Sequence, residues 1–467
     1  MTARVAVVGG GLAGITAALC CADAGYAVRL FESRPWLGGL THSFTRGELW
    51  VDNGQHVFLR CCERYLALLD RMGVRDAVYL QPRLDIPVSG TGRRGRLSRL
   101  PVPAPLHLSW SLLRYPWLST GARLRFARAA LALRAVDTSD PRTDDTSFGD
   151  WLRAHGQDRD AVDSLWDLVG IATLNARADE VSLTLAATVF RIGLLTDSAA
   201  ADIGWARIPL RQLHGDAARA ALSDAGVDTV APARVTGIRR LSDGWAISTT
   251  GSDTRADAVV SAIPHPAAAA LLPAGAIDLP ADWAAALGSS PIVNIHVIYD
   301  RQVMTGPLRA GIGTAVQWVF DRTAAAGVPE AGAQYLAVSV SAADDIVDRP
   351  TAELRRRFLP ALAELLPAAR DARVLDFFVT RERHATFRPA PGTARLRPPA
   401  ATALPGLVLA GAWTDTGWPA TMEGAVRSGE SAATEVISYL AGIPSRTGAR
   451  ERAATPQPRT RISEVIR

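Results

Sequence analysis

The chain contains 467 residues, of which 48% are hydrophobic and 21% are charged. This length exceeds the usual size of one hydrophobic core, so we expect two intertwined domains, and the composition excludes a disordered protein. All 51 basic residues are arginines, the acidic residues number 46, and the formal net charge is +5. Because the acidic residues are spread among the arginines, we predict no nucleic-acid partner.

The four cysteines form two adjacent pairs, at 20–21 and 61–62, and neither pair has the CxxC spacing of a metal or redox site. We interpret them as small buried residues, and we predict neither a disulfide framework nor a metal site. An eighteen-residue apolar run without charge is absent from the sequence, so no spanning helix is expected. The N-terminus reads as a strand instead of a signal peptide, which favours the cytoplasm, with any membrane contact peripheral on the inner face of the plasma membrane.

The first motif is VVGGGLAG, which follows a strand-like run and leads into a helix-like one. Gly9, Gly11 and Gly14 fit GxGxxG, a pattern that permits a tight turn, close approach of backbone to a pyrophosphate and close packing of helix on strand. The helix then directs unpaired amides at the phosphates. Glu32 ends the next strand, where a carboxylate accepts hydrogen bonds from ribose. These residues predict a Rossmann-like nucleotide-binding domain; an ordinary glycine-rich turn is the alternative.

A pair of glycines further along the chain favours FAD over NAD as the bound cofactor. After Glu32 the chain reads SRPWLGGLTHSF, in which Gly38 and Gly39 permit another close approach to a cofactor longer than the first turn covers. Together with Arg34, the pattern resembles the glutamate, arginine and paired glycines of flavin amine oxidases and phytoene desaturases. Leu40 departs from it, because many amine oxidases carry a basic residue there. We therefore predict bound FAD, with a glycine turn in an irregular loop as the alternative.

The periodicity indicates an α/β fold in which the chain leaves the nucleotide-binding domain and returns to it twice. Helical patterns dominate the first excursion, and the patterns of a mostly antiparallel sheet dominate the second. Proline, glycine and arginine accumulate over 82–105, so no regular structure is expected there. The predicted FAD-binding domain comprises 1–90, 208–265 and 395–441, the α+β substrate domain comprises 91–207 and 266–394, and 442–467 is expected to be a disordered tail.

A motif near the C-terminus suits the opposite end of the same cofactor. Residues 407–410 read as a strand, and a loop rich in glycine, threonine and proline leads to a helix that begins near Met422. If the flavin lies at this loop, the helix dipole stabilises negative charge on the reduced ring. Gly411, Thr421 and Met422 are therefore predicted cofactor contacts, and Val235, on a strand beside the adenine, is predicted to offer its backbone.

Three motifs carry a closer resemblance, in one order along almost the whole chain: DNGQH at 52–56, RERHATFRPAPG at 381–392 and WTDTGWPATMEGAVRSGESAA at 413–433. Together they resemble hydroxysqualene dehydroxylase, a family of squalene-associated FAD-dependent enzymes related to phytoene desaturases. The resemblance implies reductive removal of an allylic hydroxyl from hydroxysqualene, giving squalene in bacterial squalene and hopanoid synthesis. Ala412 departs from the family, which usually has an aspartate there in contact with FAD, and Asp415 is a candidate to compensate.

The implied reaction needs a proton for the leaving hydroxyl and exclusion of water from an allylic cation. His56 and Asp52 are the first catalytic candidates, since Gly54 would let their loop pass close under the isoalloxazine. The alternative is that the DNGQH loop only shapes the cofactor site and hydrogen-bonds the cofactor. His384 and Glu382 are secondary candidates, which we interpret as a surface pair at a strand end.

A long isoprenoid substrate has no polar anchor except its hydroxyl, so the predicted pocket is apolar and lined with aromatic rings. The segment 100–118 combines apolar residues with Trp110, Tyr115 and Trp117 and has arginines on either side. This composition suits peripheral contact with a membrane interface, and a buried irregular segment is the alternative. Aromatic candidates for the pocket, each of which also suits the core, are Trp166, Phe190, Trp205, Trp318 and Phe378.

Three functions remain open from the sequence. The first is the dehydroxylase itself. The second is a carotenoid-type desaturase or isomerase, which shares the cofactor and the apolar pocket but moves hydride in the opposite direction. The third is a non-catalytic FAD-binding partner in a lipid-synthesis assembly, a reading favoured by Ala412. A second GxGxxG for a nicotinamide domain is not evident in the sequence, so the electron donor is not identified.

Overall fold

The computed structural model describes residues 2–90 and 92–442, so the predicted tail lies outside the described residues apart from Gly442. The α-helices in this part of the chain are α1 (Leu12–Asp23), α2 (Glu63–Arg71), α3 (Ser109–Leu113), α4 (Thr120–Arg134), α5 (Pro141–Asp145), α6 (Phe148–Ala154), α7 (Arg159–Ala161), α8 (Asp167–Leu174), α9 (Leu183–Phe190), α10 (Ala217–Asp224), α11 (His265–Leu271), α12 (Trp283–Leu287), α13 (Thr323–Ala326), α14 (Thr351–Leu365) and α15 (Met422–Leu440). Segments of π-helix are Val162–Trp166, Arg191–Thr196 and Arg211–Asp216.

The strands in the same residues are β1 (Arg4–Val8), β2 (Ala27–Phe31), β3 (Ser43–Arg46), β4 (Leu49–Asp52), β5 (Val57–Leu59), β6 (Val78–Leu80), β7 (Asp85–Gly90), β8 (Arg93–Ser98), β9 (Ile203–Ala206), β10 (Asp228–Val230), β11 (Val235–Leu241), β12 (Gly244–Thr249), β13 (Asp253–Ala256), β14 (Ala258–Ser261), β15 (Ser290–Tyr299), β16 (Leu308–Gly311), β17 (Trp318–Asp321), β18 (Gln334–Val340), β19 (Val374–Thr386) and β20 (Leu407–Leu409).

A five-stranded parallel sheet, in the order β10–β2–β1–β14–β20, forms the first layer. Its central strands are continuous apolar runs because both faces are covered. Helices α1, α10 and α15 pack on one face, and the three-stranded sheet β11–β12–β13 packs on the other through Trp245 and Ile247. Parallel strands end at one common edge, so β1, β2, β14 and β20 bring widely separated loops together there.

Small residues allow α1 and α15 to approach closely beneath this sheet. Ala17 and Ala18 of α1 are fully buried in the same core cluster as Ala432 and Ala433 of α15. A Cβ atom added to Gly429 would lie 2.8 Å from Cβ of Thr16. The two helices therefore come from opposite ends of the chain and pack as a single layer.

A seven-stranded sheet, in the order β19–β15–β18–β17–β16–β7–β8, forms the second main layer. Its pairings are antiparallel except for the parallel pair β16–β7. On β15 the side chains alternate: Val293, Ile295 and Val297 pack in a cluster with α14, and Asn294 and His296 point to the opposite face. The predicted α/β fold with a mostly antiparallel second sheet is therefore confirmed.

The expectation of no regular structure over 82–105 was wrong. The hairpin β7–β8 occupies this segment and joins the edge of the seven-stranded sheet, although our domain boundary at residue 90 assigns β7 to the nucleotide-binding domain. Pro87 is accommodated in a strand whose Val88 pairs with Ala310, and the three arginines of β8 lie on the outermost strand. Turn-forming residues thus lie within a short edge hairpin.

Helices α4 to α9 surround a core that contains Phe148, Trp166 and Phe190, whose rings contact one another. Between these helices and the parallel sheet lies a small sheet, β5–β9–β6. None of the helices in the described part of the chain combines the length and apolar character needed to cross a membrane.

Candidate functional site

The glycine turn between β1 and α1 is shaped for close approach by a phosphate. Gly9 has φ of +109°, and a Cβ atom there would lie 2.5 Å from the carbonyl oxygen of Ala262. A Cβ atom on Gly14 would collide with the Gly9 carbonyl, so this glycine is needed for contact between helix and turn. Gly11 is the N-cap of α1 and has no capping side-chain hydrogen bond, which leaves the first amides of α1 directed at the sheet edge.

The paired glycines lie against this turn. The Gly38 N–H donates to the Gly10 carbonyl at 2.8 Å, and Gly11 and Gly38 form an isolated parallel bridge. Gly39 has φ of +59°, and a Cβ atom on it would lie 2.9 Å from Cα of Gly11. The two glycine segments therefore form one continuous cradle in which backbone, without side chains, faces the edge of the parallel sheet.

Glu32 lies at the end of β2 and its carboxylate is held from two sides. Oε2 accepts the Gly10 N–H at 2.7 Å, and Oε1 accepts the Arg34 N–H at 2.8 Å. Both bonds orient a buried carboxylate beside the glycine cradle, which suits the predicted ribose contact. The Arg34 side chain itself is exposed, with its guanidinium 6.0 Å from the Trp36 ring centroid. The Glu32 carbonyl accepts from Ala233 at 2.6 Å, which brings the start of β11, including half-buried Val235, to the same edge.

The C-terminal motif follows β20 and forms the remaining part of the binding edge of the parallel sheet. Gly411 follows this strand with φ of +139°, and its N–H donates to Oγ of Ser428 at 2.8 Å. Thr421 is the N-cap of α15, with its Oγ1 accepting the Gly424 N–H at 3.1 Å, and Met422 is the first helical residue. The positive end of α15 thus lies directly after the loop, as the sequence predicts.

Arg397, which sequence reasoning missed, holds this loop in place. One guanidinium donates to the carbonyl oxygens of Thr414 at 2.6 Å, Trp418 at 2.8 Å and Ala412 at 3.4 Å. Burial lowers the pKa of Arg397 to about 10, and Asp415 opposes this effect through its charge. Arg397 is one of 51 arginines, and no feature of the sequence marks it out.

Glu423 connects the two flavin motifs. Its fully buried carboxylate accepts the Tyr65 N–H at 2.8 Å, at the start of α2, and the Nε–H of Arg427 at 2.7 Å. The negative charge of this carboxylate is therefore stabilised by the positive N-terminal end of α2 as well as by that of its own helix, α15. This contact joins the segment after DNGQH to the first turn of α15.

His56 lines a small cavity beside the DNGQH loop. Its Nδ1 lies 3.0 Å from the Gly54 carbonyl, which can only accept, so Nδ1 carries the proton and Nε2 has a free lone pair. Burial lowers the pKa of His56 below its ordinary value, and the hydrogen bond to Gly54 only partly offsets this. The other walls are both polar and apolar: Asp52, Gln55, Asp321 and Arg322 line the cavity together with Val57, Trp205, Ala206, Leu210, Pro307 and Phe320.

Asp52 is tied into the protein by three donors. Its carboxylate accepts Oγ–H of Ser43 at 2.7 Å, the Leu210 N–H at 3.1 Å and Nη2 of Arg322 at 2.7 Å. The ion pair with Arg322 is buried, with only 9% and 6% of the two side chains exposed. Arg322 also donates to the Ala206 carbonyl at 2.8 Å, so one guanidinium joins β17, the DNGQH loop and β9. Sequence reasoning missed Arg322 for the same reason as Arg397.

The polar face of β15 supports the DNGQH loop from behind. Nδ2 of Asn294 and Oγ1 of Thr380 both donate to the Asn53 carbonyl at 3.2 Å. His296 lies between Thr380 and the Tyr335 hydroxyl at 3.0 and 2.7 Å, and burial lowers its pKa to about 3. Asn294 and His296 interrupt an apolar strand at alternate positions, a signal that could have predicted this polar face.

Two buried polar atoms near the loop remain without a partner among the described residues. They are Nε2 of Gln55 and Oδ1 of Asn294, which offer a donor and an acceptor to a bound group. Gly54 lies beside Asn294, since a Cβ atom on Gly54 would be 3.5 Å from Nδ2 of Asn294. Together with the glycine cradle, which a single Cβ would fill, these atoms fit an extended dinucleotide along the edge of the parallel sheet.

The remaining predicted residues divide into four groups. Trp205 lines the cavity with His56, whereas Trp166 and Phe190 are buried in the helical core. Trp318 and Phe378 are half-buried on the seven-stranded sheet. Glu382 and His384 lie on β19, where His384 borders a surface groove together with His265 instead of the His56 cavity.

Comparison with known proteins identifies relatives along nearly the whole chain. The family model for flavin containing amine oxidoreductases matches residues 12–437. The chain is 29% identical over 463 residues to a hydroxysqualene dehydroxylase of Rhodopseudomonas palustris, covering 94% of this chain and 99% of that protein. It is 26% identical over 480 residues to a zeta-carotene desaturase of Zea mays, covering 94% and 83%. The solved structure of cyclohexylamine oxidase from Brevibacterium oxydans shares the fold, with a TM-score of 0.70, 19% identity and coverage of 94% and 100%.

Proposed function

Because the chain belongs to the flavin containing amine oxidoreductase family, we propose that it removes the hydroxyl group of hydroxysqualene reductively and forms squalene. The chain is an FAD-dependent oxidoreductase. The observation that carries the specific reaction is the similarity to a hydroxysqualene dehydroxylase over 94% of this chain. The cavity supports it in one respect, since His56 lies there beside the aromatic rings of Trp205 and Phe320 as well as beside charged side chains. The product would enter bacterial squalene and hopanoid synthesis.

The cofactor contacts follow from the edge of the parallel sheet. We assign the pyrophosphate to Gly9, Gly11 and Gly14, and the ribose to Glu32, with Arg34, Gly38, Gly39 and Val235 near the same end. Gly54, Gly411, Thr421 and Met422 are assigned to the flavin end. When bound in its reduced form, FAD supplies a hydride to the substrate.

His56 supplies the proton in this proposal. The reaction breaks a carbon–oxygen bond and forms a carbon–hydrogen bond, so one hydride and one proton are consumed and water leaves. Protonated His56 donates from Nε2 to the leaving hydroxyl, since Nδ1 is already engaged by the Gly54 carbonyl. Asp52, held by Ser43, Leu210 and Arg322, positions the loop that carries His56.

The apolar walls protect the allylic cation. Leu210 and Phe320, which are both buried, keep out water that would otherwise capture it. Trp205 and Phe320 present aromatic rings, whose faces attract positive charge. The same residues that recognise a hydrocarbon therefore also stabilise the charge that develops on it.

A carotenoid-type desaturase or isomerase is the second candidate, favoured by the 26% identity to zeta-carotene desaturase. It would use the same cofactor edge and would remove hydride from an apolar polyene instead of supplying it. The third hypothesis, a non-catalytic FAD-binding partner, is not supported by family membership, since the family comprises oxidoreductases.

A product assay separates the first two functions. Without oxygen, the purified holoenzyme is supplied with hydroxysqualene in its reduced form and with phytoene in its oxidised form, and the products are identified by mass spectrometry. We expect squalene from hydroxysqualene and no reaction of phytoene. Desaturation of phytoene by the oxidised enzyme, without squalene from hydroxysqualene, would establish the second candidate instead.

The role of His56 is tested with His56→Gln and with His384→Gln as the control on the exposed end of β19. We expect His56→Gln to lower kcat about a hundredfold while retaining flavin absorbance, and His384→Gln to leave kcat unchanged. Because the pKa of His56 is lowered by burial, the wild-type rate should decline as pH rises through a value below the ordinary histidine pKa. An unchanged pH profile in His56→Gln would exclude His56 as the acid.

The proposed substrate also bears on location. A long isoprenoid dissolves in lipid, so we place the enzyme in the cytoplasm with peripheral contact to the inner face of the plasma membrane, through the segment 100–118. Within that segment Tyr115 and Leu118 are buried, whereas Leu106, Trp110 and Leu113 are exposed. The segment therefore combines both interpretations of its sequence, with a buried side and an outward apolar side.

A further inference from the structure

Exposed apolar side chains are concentrated in one region of the molecule. Nine large hydrophobic residues are exposed in the described part of the chain, and five of them lie between residues 106 and 131. Their exposed fractions are 64% for Leu106, 47% for Trp110, 59% for Leu113, 61% for Leu124 and 54% for Leu131. Single exposed apolar residues are ordinary, but such a concentration indicates an interaction surface.

Two of the five residues lie on α3 and two on α4, and Leu106 begins the short 3₁₀ turn that leads into α3. The helices α3 and α4 pack against each other. Tyr115 and Leu118, which link α3 to α4, share a buried cluster with Ala122 of α4. Arg123 of α4 donates to the Tyr115 carbonyl at 2.9 Å. Leu124 and Leu131 are seven residues apart, so they lie on one side of α4. We call the outward surface formed by Leu106, Trp110, Leu113, Leu124 and Leu131 the α3–α4 face.

The chain segment that carries the α3–α4 face contains charged residues of one sign, which is an exception to the mixing of charges along the rest of the chain. Residues 86–136 contain nine arginines and no aspartate or glutamate, whereas the rest of the chain has 42 arginines and 46 acidic residues. This segment therefore accounts for the whole positive net charge of the protein. Three of its arginines, Arg96, Arg99 and Arg125, form ion pairs with aspartates from outside the segment.

Other arginines of this segment lie at the α3–α4 face itself. Arg114, Arg128 and Arg134 are exposed. The Arg114 guanidinium lies over the Trp110 ring, 4.0 Å from its centroid. Arg128 is four residues from Leu124 and three from Leu131, so charge and apolar surface share one side of α4. Arginine that lies beside exposed leucine and tryptophan can reach a phosphate while the apolar side chains enter hydrocarbon.

We propose that the α3–α4 face binds the surface of an anionic lipid bilayer, with its leucines and Trp110 inserted below the headgroups and its arginines on lipid phosphates. The helices are too short to span a bilayer, so the contact lies in the plane of the interface. The proposal depends on exposure and charge and not on the identity of the substrate, although it would give the site access to a lipid-dissolved hydrocarbon.

Vesicle sedimentation tests the proposal with the FAD-loaded full chain and without substrate. The vesicles contain phosphatidylcholine alone or phosphatidylcholine mixed with phosphatidylglycerol. We expect sedimentation with the mixed vesicles, weaker binding to the neutral ones, and a decrease at high salt. Leu124→Glu/Leu131→Glu should lower binding about tenfold or more, since two leucines no longer enter the hydrocarbon.

Two further variants make the result specific. Phe44→Glu, which alters a 38% exposed residue on β3, is the matched control and should sediment like the wild type. Arg128→Gln/Arg134→Gln should lose most of the preference for phosphatidylglycerol. Flavin absorbance and circular dichroism verify that each variant is folded. Failure of the wild type to sediment, or equal sedimentation of the wild type and Leu124→Glu/Leu131→Glu, would overturn the proposal and would leave the product assay unaffected.

Discussion

Two buried arginines stabilise the loops around the cofactor edge by different means. Arg322 forms an ion pair with Asp52, whereas Arg397 is surrounded by the carbonyl oxygens of the 412–418 loop. Carbonyl oxygens bear only partial charges, so the positive charge of Arg397 is incompletely balanced within the loop. A carboxylate at position 412, which the resemblance leads us to expect, would lie on the same loop.

Ala412→Asp should strengthen the retention of FAD. Restoring the expected carboxylate contact would contribute about 1–3 kcal/mol if the group that it meets is otherwise buried and unpaired. That gain corresponds to a Kd lower by about 5- to 150-fold. The Kd is measured from flavin fluorescence during titration of the apoprotein with FAD.

The matched variant for this prediction is Asp415→Ala, because Asp415 lies on the same loop and is exposed. We expect it to retain FAD as the wild type does. Weaker retention in Asp415→Ala, with no gain in Ala412→Asp, would show instead that Asp415 already provides the missing carboxylate.

Contact between α1 and α15 controls the shape of the phosphate turn. A side chain at Gly429 would meet the Ala13 carbonyl and Thr16, one turn beyond the amides that face the phosphates. The glycine turn and the C-terminal helix are therefore coupled by packing, although their sequences are separated by most of the chain.

Gly429→Ala should separate these helices and lower the free energy of unfolding by about 1–3 kcal/mol through overpacking. FAD binding should weaken as well, because the first turn of α1 moves. Gly170→Ala in α8 is the control, since a Cβ atom there meets nothing closer than Asp167 at 4.0 Å. The control should change stability by about 1 kcal/mol or less, in the stabilising direction. Equal unfolding midpoints in urea for both variants would contradict this account.

The sequence predicted structural features that depend on neighbouring residues better than those that depend on contacts with distant parts of the chain. Gly9, Gly11 and Gly14 were placed correctly as a strand–turn–helix because their steric requirements act within a few residues. The strand β7 was missed because its partner β16 is distant in sequence and Pro87 suggests a turn. Arg322 and Arg397 were missed since pairing depends on tertiary contacts, which periodicity does not encode.

At the scale of the whole molecule, buried neutral histidines make stability depend on pH. Burial lowers the pKa of His214 and of His296 to about 3. In the unfolded chain both have a pKa of about 6.5, so below that pH the unfolded state binds protons that the folded state does not. Stability is therefore fully present above about pH 6.5 and declines as pH falls toward 3.

From this difference we expect the free energy of unfolding to be about 4 kcal/mol lower at pH 5 than at pH 7 on account of these two residues. Urea titrations at both pH values measure it. His296→Gln, which keeps hydrogen-bonding groups between Tyr335 and Thr380, should remove about half of the difference, whereas exposed His384→Gln should retain it. An equal pH dependence in both variants would refute the assignment.

The order of strands in the parallel sheet also determines when the protein can finish folding. β1 is made before its neighbour β14, which follows some 250 residues later, and β20, which pairs with β14, is made later still. Such non-local pairings form slowly. The glycine cradle is therefore synthesised long before α15, which must emerge before it can cover α1. The cofactor can therefore bind only late in folding. Until then the apolar surface of α1 is exposed and can associate incorrectly with other chains.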